Sequence, residues 1–323
     1  MEKRKFSQVL AMVALCACLA PATFGETFSI DASSPSQFDQ ADLLNPGPTV
    51  QVPATSLGLS AADKLNALSS GNDAVQASNI VFFSVDRNST GIVGGHLNPW
   101  DVTGQAALGQ QAGDMFVTTN AVGTGVVPQG TNMRYADQSF YGLVPVTNPY
   151  VQPDNTGNPQ DNLDAFSFEE FDLNGGGTDR PTFFSLGAGS ASLGGGFDAA
   201  DILISSGNGT FSVFADYTTM GLSANDDIDA LALLDLDQSG TVTTGDAALF
   251  SLAAGSASLG TNSAADIFIT TFNNSSAVKY TATSLGLLPT DEVDALDVQI
   301  APEPATMTLL GIGALGLLRR RRK

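Results

Sequence analysis

An all-β repeat fold is predicted from three observations: linked motifs that recur four times, short apolar runs of strand composition between turn residues, and a body whose first and last motif strands complete one unit. The first motif is Phe-Ser-apolar with a second serine just downstream: Phe28-Ser29-Ile30 with Ser34, Phe83-Ser84-Val85 with Ser89, Phe184-Ser185-Leu186 with Ser190, and Phe250-Ser251-Leu252 with Ser256. A small-Asp-apolar string follows each, centred on Asp42, Asp114, Asp201 and Asp266. The third motif is Gly-Leu followed by Asp-x-x-Asp/Asn-Ala-apolar. It starts at Gly58, Gly221 and Gly286, and its acidic part also occurs as Asp161-Asn162-Leu163-Asp164-Ala165-Phe166, with the Gly-Leu displaced.

The last two copies repeat with a spacing of 65 residues, measured from Asp201 to Asp266 and from Gly221 to Gly286. Within that period the apolar runs 231–234, 249–252, 267–271 and 278–281 are short, several carry β-branched or aromatic residues, and most are bounded by Gly, Asn, Ser or Asp. Four short strands per repeat is the size of a propeller blade. The Phe28 strand opens the body and the strand around Asp294 closes it, so their pairing would complete a composite blade and leave few exposed sheet edges. The predicted fold is therefore a four-bladed β-propeller closed by its N- and C-terminal strands. The alternative is an open stack of β repeats, and a single helical turn is the alternative for Asp-x-x-Asp-Ala-Leu alone. The second copy is enlarged at residues 92–111 and 120–160, read as loops. They hold the single His (His96), the single Trp (Trp100), and Tyr135, Tyr141 and Tyr150: a ligand loop, or a surface lid packing its own aromatics.

Charge narrows the partners. The chain of 323 residues has a net charge of −20, from 13 Lys+Arg against 33 Asp+Glu. Eight of those cations sit at the two ends, leaving Lys64, Arg87, Arg134, Arg180 and Lys279 for the whole of residues 26–301. Such a body repels nucleic acid and anionic lipid and attracts metal cations or basic surfaces.

The two ends read as addresses. Residues 1–25 join a basic start (Lys3, Arg4, Lys5) to an apolar run and small residues near Ala20-Pro21-Ala22, the pattern of a secretory signal peptide. Both cysteines, Cys16 and Cys18, lie inside it, so the mature chain is expected to lack disulfides and thiolate metal sites. Residues 302–323 begin Pro302-Glu303-Pro304, continue through an apolar stretch broken by Gly311, Gly313 and Gly316, and end Arg319-Arg320-Arg321-Arg322-Lys323. This tail resembles a PEP-CTERM sorting signal. The resemblance implies an exported bacterial protein, recognised by an exosortase and held by a transient membrane anchor that is cut near Pro302-Glu303-Pro304. Its destination is the cell surface or extracellular matrix, with exopolysaccharide or other surface proteins as partners.

One 12-residue segment has the layout of a calcium loop: Asp235-Leu236-Asp237-Gln238-Ser239-Gly240-Thr241-Val242-Thr243-Thr244-Gly245-Asp246. Asp235, Asp237, Ser239, the carbonyl of Thr241 and Asp246 fall at positions 1, 3, 5, 7 and 12, with Gly240 at the sharp turn, which suits a cation that takes six to eight oxygens. The segment resembles half of a dockerin repeat. The alternative is an ordinary Asp/Gly hairpin loop, and Asp172-Leu173-Asn174-Gly175-Gly176-Gly177 is a weaker counterpart in the preceding repeat. A closed ring would also set Asp63, Asp161, Asp226 and Asp291, and separately Asn66, Asp164, Asp229 and Asp294, about one axis, to hold a cation or, by preference, to cap turns. No catalytic residue is predicted: the chain has no Gly-x-Ser-x-Gly, phosphate loop or dinucleotide fingerprint. The expectation is a non-enzymatic, calcium-binding surface or exopolysaccharide-matrix protein. The competing readings are a secreted carboxylate-based enzyme acting on glycans, and an adhesion module.

Overall fold

The computed structural model describes residues 26–70, 80–92, 99–118, 130–143, 161–168 and 181–298. The predicted signal peptide, His96, Tyr150, residues 172–177 and the sorting tail with Pro302, Glu303 and Pro304 lie outside them. Four antiparallel sheets of four strands form the body. The first blade consists of β1 (Glu26–Ile30), β2 (Leu43–Asn45) and β3 (Thr49–Val52), completed on its inner side by β16 (Val293–Val298). The second runs outward from β4 (Leu65–Ser69) through β5 (Val81–Val85) and β6 (Met115–Thr118) to β7 (Met133–Ala136). The third contains β8 (Leu163–Phe168), β9 (Thr182–Leu186), β10 (Ile202–Ser205) and β11 (Ser212–Ala215). The fourth contains β12 (Ile228–Leu234), β13 (Ala247–Leu252), β14 (Ile267–Thr270) and β15 (Ser276–Tyr280). The inner strands β16, β4, β8 and β12 touch their neighbours in a ring and reach across to the opposite strand. The fold is thus the four-bladed β-propeller, closed as predicted: Phe28 pairs with Leu296 and Glu26 with Val298.

The motifs hold the blades together, each at a different radius. On the inner side, the serine of Phe-Ser reaches the inner strand of the following blade. Ser84 Oγ donates to Leu163 O (2.6 Å), Ser185 Oγ to Ile228 O (2.9 Å) and Ser251 Oγ to Val293 O (2.8 Å). At the rim, the Gly-Leu turn of one blade accepts a backbone N–H from the outer hairpin of the next. The four bonds are Gly130 N to Ser56 O (3.0 Å), Gly209 N to Phe140 O (3.0 Å), Asn274 N to Thr219 O (2.7 Å) and Gly47 N to Leu285 O (2.8 Å). Close approach there requires glycine: Gly221 has φ +74°, and a Cβ on it would stand 2.8 Å from Ser275 Cα. The displaced turn of the second copy is Gly142-Leu143, which takes the same left-handed shape (φ 82°). Between these two radii lie the apolar cores, one in each seam; Ile228 and Phe250 of the fourth blade pack with Ile202 and Phe214 of the third. Burying each such side chain is worth roughly 1.5–3 kcal/mol.

The Asp-x-x-Asp-Ala-Leu element enters the inner strand as expected and forms no helical turn: its Ala and Leu pair into the ladder, as Ala230 with Ser251 and Leu231 with Phe250, while its first Asp lies just before the strand. One expectation is corrected. The enlargements of the second copy are not loops throughout. Residues 92–111 contain a short helix, Val102–Leu108, started by Asp101 accepting from Gly104 N (2.7 Å) and stopped by left-handed Gly109. Residues 120–160 contain β7, the outer strand of that blade.

Candidate functional site

Most of the recurring acids are consumed by backbone donors. Asp226 Oδ2 accepts from Ser223 N (2.7 Å) and its Oδ1 from Ser258 N (3.0 Å); Asp291 does the same with Leu288 N and Ser36 N, and Asp63 with Ser60 N and Thr90 N. Asp161 Oδ1 accepts from Ser192 N (2.8 Å). The other set ties the start of the third strand to the chain beyond the fourth: Asp201 Oδ1 accepts from Tyr217 N (2.9 Å), Asp266 Oδ1 from Ala282 N (2.6 Å), Asp42 Oδ1 from Ala54 N (2.8 Å) and Asp114 Oδ1 from Gln138 N (2.8 Å). These are turn-capping residues.

The segment 235–246 connects β12 to β13. Ligand atoms of Asp235, Asp237 and Asp246 lie within 4.8 Å of one another, the one such convergence of three among the described residues. Left-handed Gln238 (φ 55°) and Gly240 (φ 69°) curl the chain so that all three carboxylates face the same space. Each also accepts hydrogen bonds from the loop: Asp235 Oδ2 from Gly240 N (2.8 Å), Asp237 Oδ1 from Ser239 N (3.2 Å), and Asp246 Oδ1 and Oδ2 from Leu236 N (2.9 Å) and Thr243 N (2.7 Å). Ser239 Oγ donates to Thr241 O (2.9 Å), which brings the two remaining predicted ligands together. Burial and then the nearby Asp246 charge raise the Asp235 pKa despite those donors.

The second acidic set sits at the axis, and a shared backbone irregularity puts it there. In each inner strand the ladder skips one residue: Leu65 pairs with Val85 and Ala67 with Ser84, omitting Asn66. Asp164, Asp229 and Asp294 are omitted in the same way. Four β-bulges therefore aim four polar side chains off the ladder at one level of the ring. All four residues are buried. Asn66 Nδ2 donates to Asp164 Oδ1 (3.0 Å), and so does Asn162 Nδ2 (2.7 Å). Lys64 Nζ stands 3.0 Å from Asp294 Oδ1 and 2.9 Å from Asp31 Oδ2. The contact with Asp294 is an ion pair without hydrogen-bond geometry, and Asp294 Oδ2 and Asn66 Oδ1 are buried with no hydrogen-bond partner. Burial pushes Asp294 up to about 7 against the pull of Lys64. Asp164 and Asp229 are held well above the usual carboxylate range, first by burial and then by neighbouring carboxylates. Burial opposes the Lys64 charge, but Asp294, Asp229, Asp164 and Asp31 outweigh it and hold the ammonium on.

Lys64 escaped the sequence reading, though a lone cation placed directly after a capping Asp in an acidic body was a usable signal. Trp100 is apart from both acidic sites: it is 52% exposed, and Arg134 lies over its ring at 4.4 Å from the centroid. Arg134 also pairs with Asp137 and with Asp114 (3.5 Å). Of the aromatics grouped with Trp100 from sequence, Tyr135 is exposed on β7, whereas Tyr141 is buried in the seam against Phe184.

A family model for the PEP-CTERM protein-sorting motif matches residues 301–323. The match covers the tail alone, and the dockerin likeness gains nothing from it. No curated protein and no solved structure matches the chain. Fold and tail together define an exported, exosortase-sorted surface protein built on a four-bladed β-propeller.

Proposed function

We propose that the protein is a non-enzymatic structural component of the bacterial surface or exopolysaccharide matrix, with a propeller that binds Ca²⁺ in the loop 235–246. The observation carrying this reading is the convergence of Asp235, Asp237 and Asp246 within 4.8 Å in a glycine-turned loop. Three monodentate or bidentate carboxylates plus Ser239 Oγ and Thr241 O approach the oxygen count that Ca²⁺ takes, and Asp246, directly before β13, also anchors the loop to that strand. The non-catalytic part of the reading rests on how the repeated polar residues are used: the capping acids and the Phe-Ser serines hold turns and seams. A surface module of this kind gains rigidity from external calcium, and its acidity suits cation-bridged contact with acidic polysaccharide.

The test is a calorimetric melt of the full-length protein with and without Ca²⁺. Free Ca²⁺ at about 100 times its dissociation constant stabilises the fold by roughly 2.7 kcal/mol. Asp235→Ala is expected to remove the gain assigned to this loop. A Ca²⁺ shift undiminished by that substitution, or matched by Mg²⁺ at equal ionic strength, would refute the loop as the site. Clearance of a panel of polysaccharides is expected to stay at the level of heat-treated protein, and clearance above it would favour a glycan-active enzyme.

A further inference from the structure

We propose that the mouth of the propeller axis is a second divalent-cation site, formed by Asp164, Asp229, Asp294 and the amide oxygen of Asn66, and distinct from the loop 235–246. The cluster is built by the backbone: each member is the extra residue of a β-bulge, one per blade, so the four side chains share one level around the axis. Its polar demand is unmet. Asn66 is fully buried; its Nδ2 bonds to Asp164 across the seam, which turns the amide into the ring and leaves Oδ1 with no donor. Asp294, 1% exposed, has its Oδ2 equally without a hydrogen-bond partner. Burying such acceptors is costly unless something supplies positive charge or a proton.

The charge balance points to a divalent ion. Among the described residues Lys64 is the one ammonium set against Asp164, Asp229 and Asp294, and it is shared with Asp31, so at least two negative charges of the ring carboxylates are left without a lysine partner. The groups facing this space from the surrounding elements add more acid: Asp86 from the second blade, Asp227 and Glu292 from the entrances to β12 and β16, with Arg87 as the other cation. The carboxylates circle the axis and do not converge as the loop acids do, which suits an ion that keeps some of its water between itself and the ring. Access is through the mouth bordered by half-buried Lys64, Asp227 and Glu292, while Asp164 and Asp229 keep 5% and 6% of their surface.

The test is Ca²⁺ titration by calorimetry on the full-length protein with the loop disabled by Asp235→Ala and Asp246→Ala. One site per chain is expected to remain. Adding Asp229→Asn is expected to abolish it. Asn66→Asp, which supplies a fourth carboxylate, is expected to tighten it several-fold, and this gain decides the matter even if the Asp229 variant does not fold. Loss of all binding in the loop-disabled protein would overturn the axial site and leave the loop reading standing. Binding untouched by the loop substitutions but removed by Asp229→Asn would do the reverse. Residual binding unchanged by both Asp229→Asn and Asn66→Asp would also overturn the axial site.

Discussion

Asp226 and Asp229 are three residues apart in one repeat motif and are both buried, at 1% and 6% exposure, yet their environments are opposite. Asp226 lies just before β12, where Ser223 N and Ser258 N donate to its two oxygens. Asp229 lies on a bulge inside β12 and faces Asp164 and Asp294. The difference teaches that donors, not burial, decide whether an aspartate stabilises this fold. An acid surrounded by free N–H groups is a structural cap; an acid surrounded by other acids is an unmet demand for a proton or a cation.

The largest expected effect comes from removing the ammonium that pairs with the axial acids. Lys64→Met is expected to cost about 3 kcal/mol in the metal-free protein at pH 8, since it strands Asp294 and Asp31, and the partial exposure of Lys64 keeps the loss from being larger. At pH 5 Asp294, pushed up to about 7, holds a proton and the loss is expected to shrink. Urea denaturation at both pH values measures this, and an equal loss at both would mean that Lys64 acts through its stem and not its charge.

Next in size is the direct exchange between the two aspartates. Asp226→Ala leaves two backbone N–H groups without acceptors and is expected to destabilise by about 2 kcal/mol at pH 8. Asp229→Asn is expected to stabilise the metal-free protein at pH 8 by relieving like charge. The sign for the unsubstituted protein follows from linkage. Carboxyls whose folded pKa is raised, as Asp294 is to about 7 and Asp227 to about 6, bind more protons folded than unfolded. Their stability contribution is therefore complete below the unfolded value near 4 and is lost as pH rises through 6 to 7. Melting without metal is expected to fall between pH 5 and pH 8, and Asp229→Asn to flatten that fall.

The sequence carried the capped half of this comparison well and the axial half poorly. Spaced copies of Asp226 and Asp201 in Ser- and Gly-bearing turns declare capping, because a cap is made with local donors such as Ser223 N three residues back. The composite blade was legible for a similar reason: the Phe28 and Leu296 strands carry the pattern of a missing pair. The bulges were not legible. A bulge is a fact about register between two strands, and nothing in Ile228-Asp229-Ala230 says that Ser251 will pair with Ala230 after Leu252 has paired with Ile228. The helix at Val102–Leu108 was not legible because it has no counterpart in the other copies and carries Gly104 in its interior, which weakens a seven-residue helical pattern.

The smallest effect separates seams that the repeats make look alike. Ser84, Ser185 and Ser251 each donate to the inner strand of the next blade, whereas Ser29, at the same motif position in the first blade, is buried with its Oγ unpartnered. At that seam the link is ionic instead, from Asp31 to Lys64 at 2.9 Å. Ser251→Ala removes a buried hydrogen bond to Val293 O and is expected to cost about 1 kcal/mol, independent of pH and of Ca²⁺. Ser29→Ala removes a hydroxyl that has no partner, so it is expected to be neutral or slightly stabilising. Chemical denaturation of the two variants side by side reads the difference. If both lose the same amount, the hydroxyl of Ser29 is bonded in solution and the first seam is stapled like the other three, which would leave the Lys64 ion pair free to serve the axis alone.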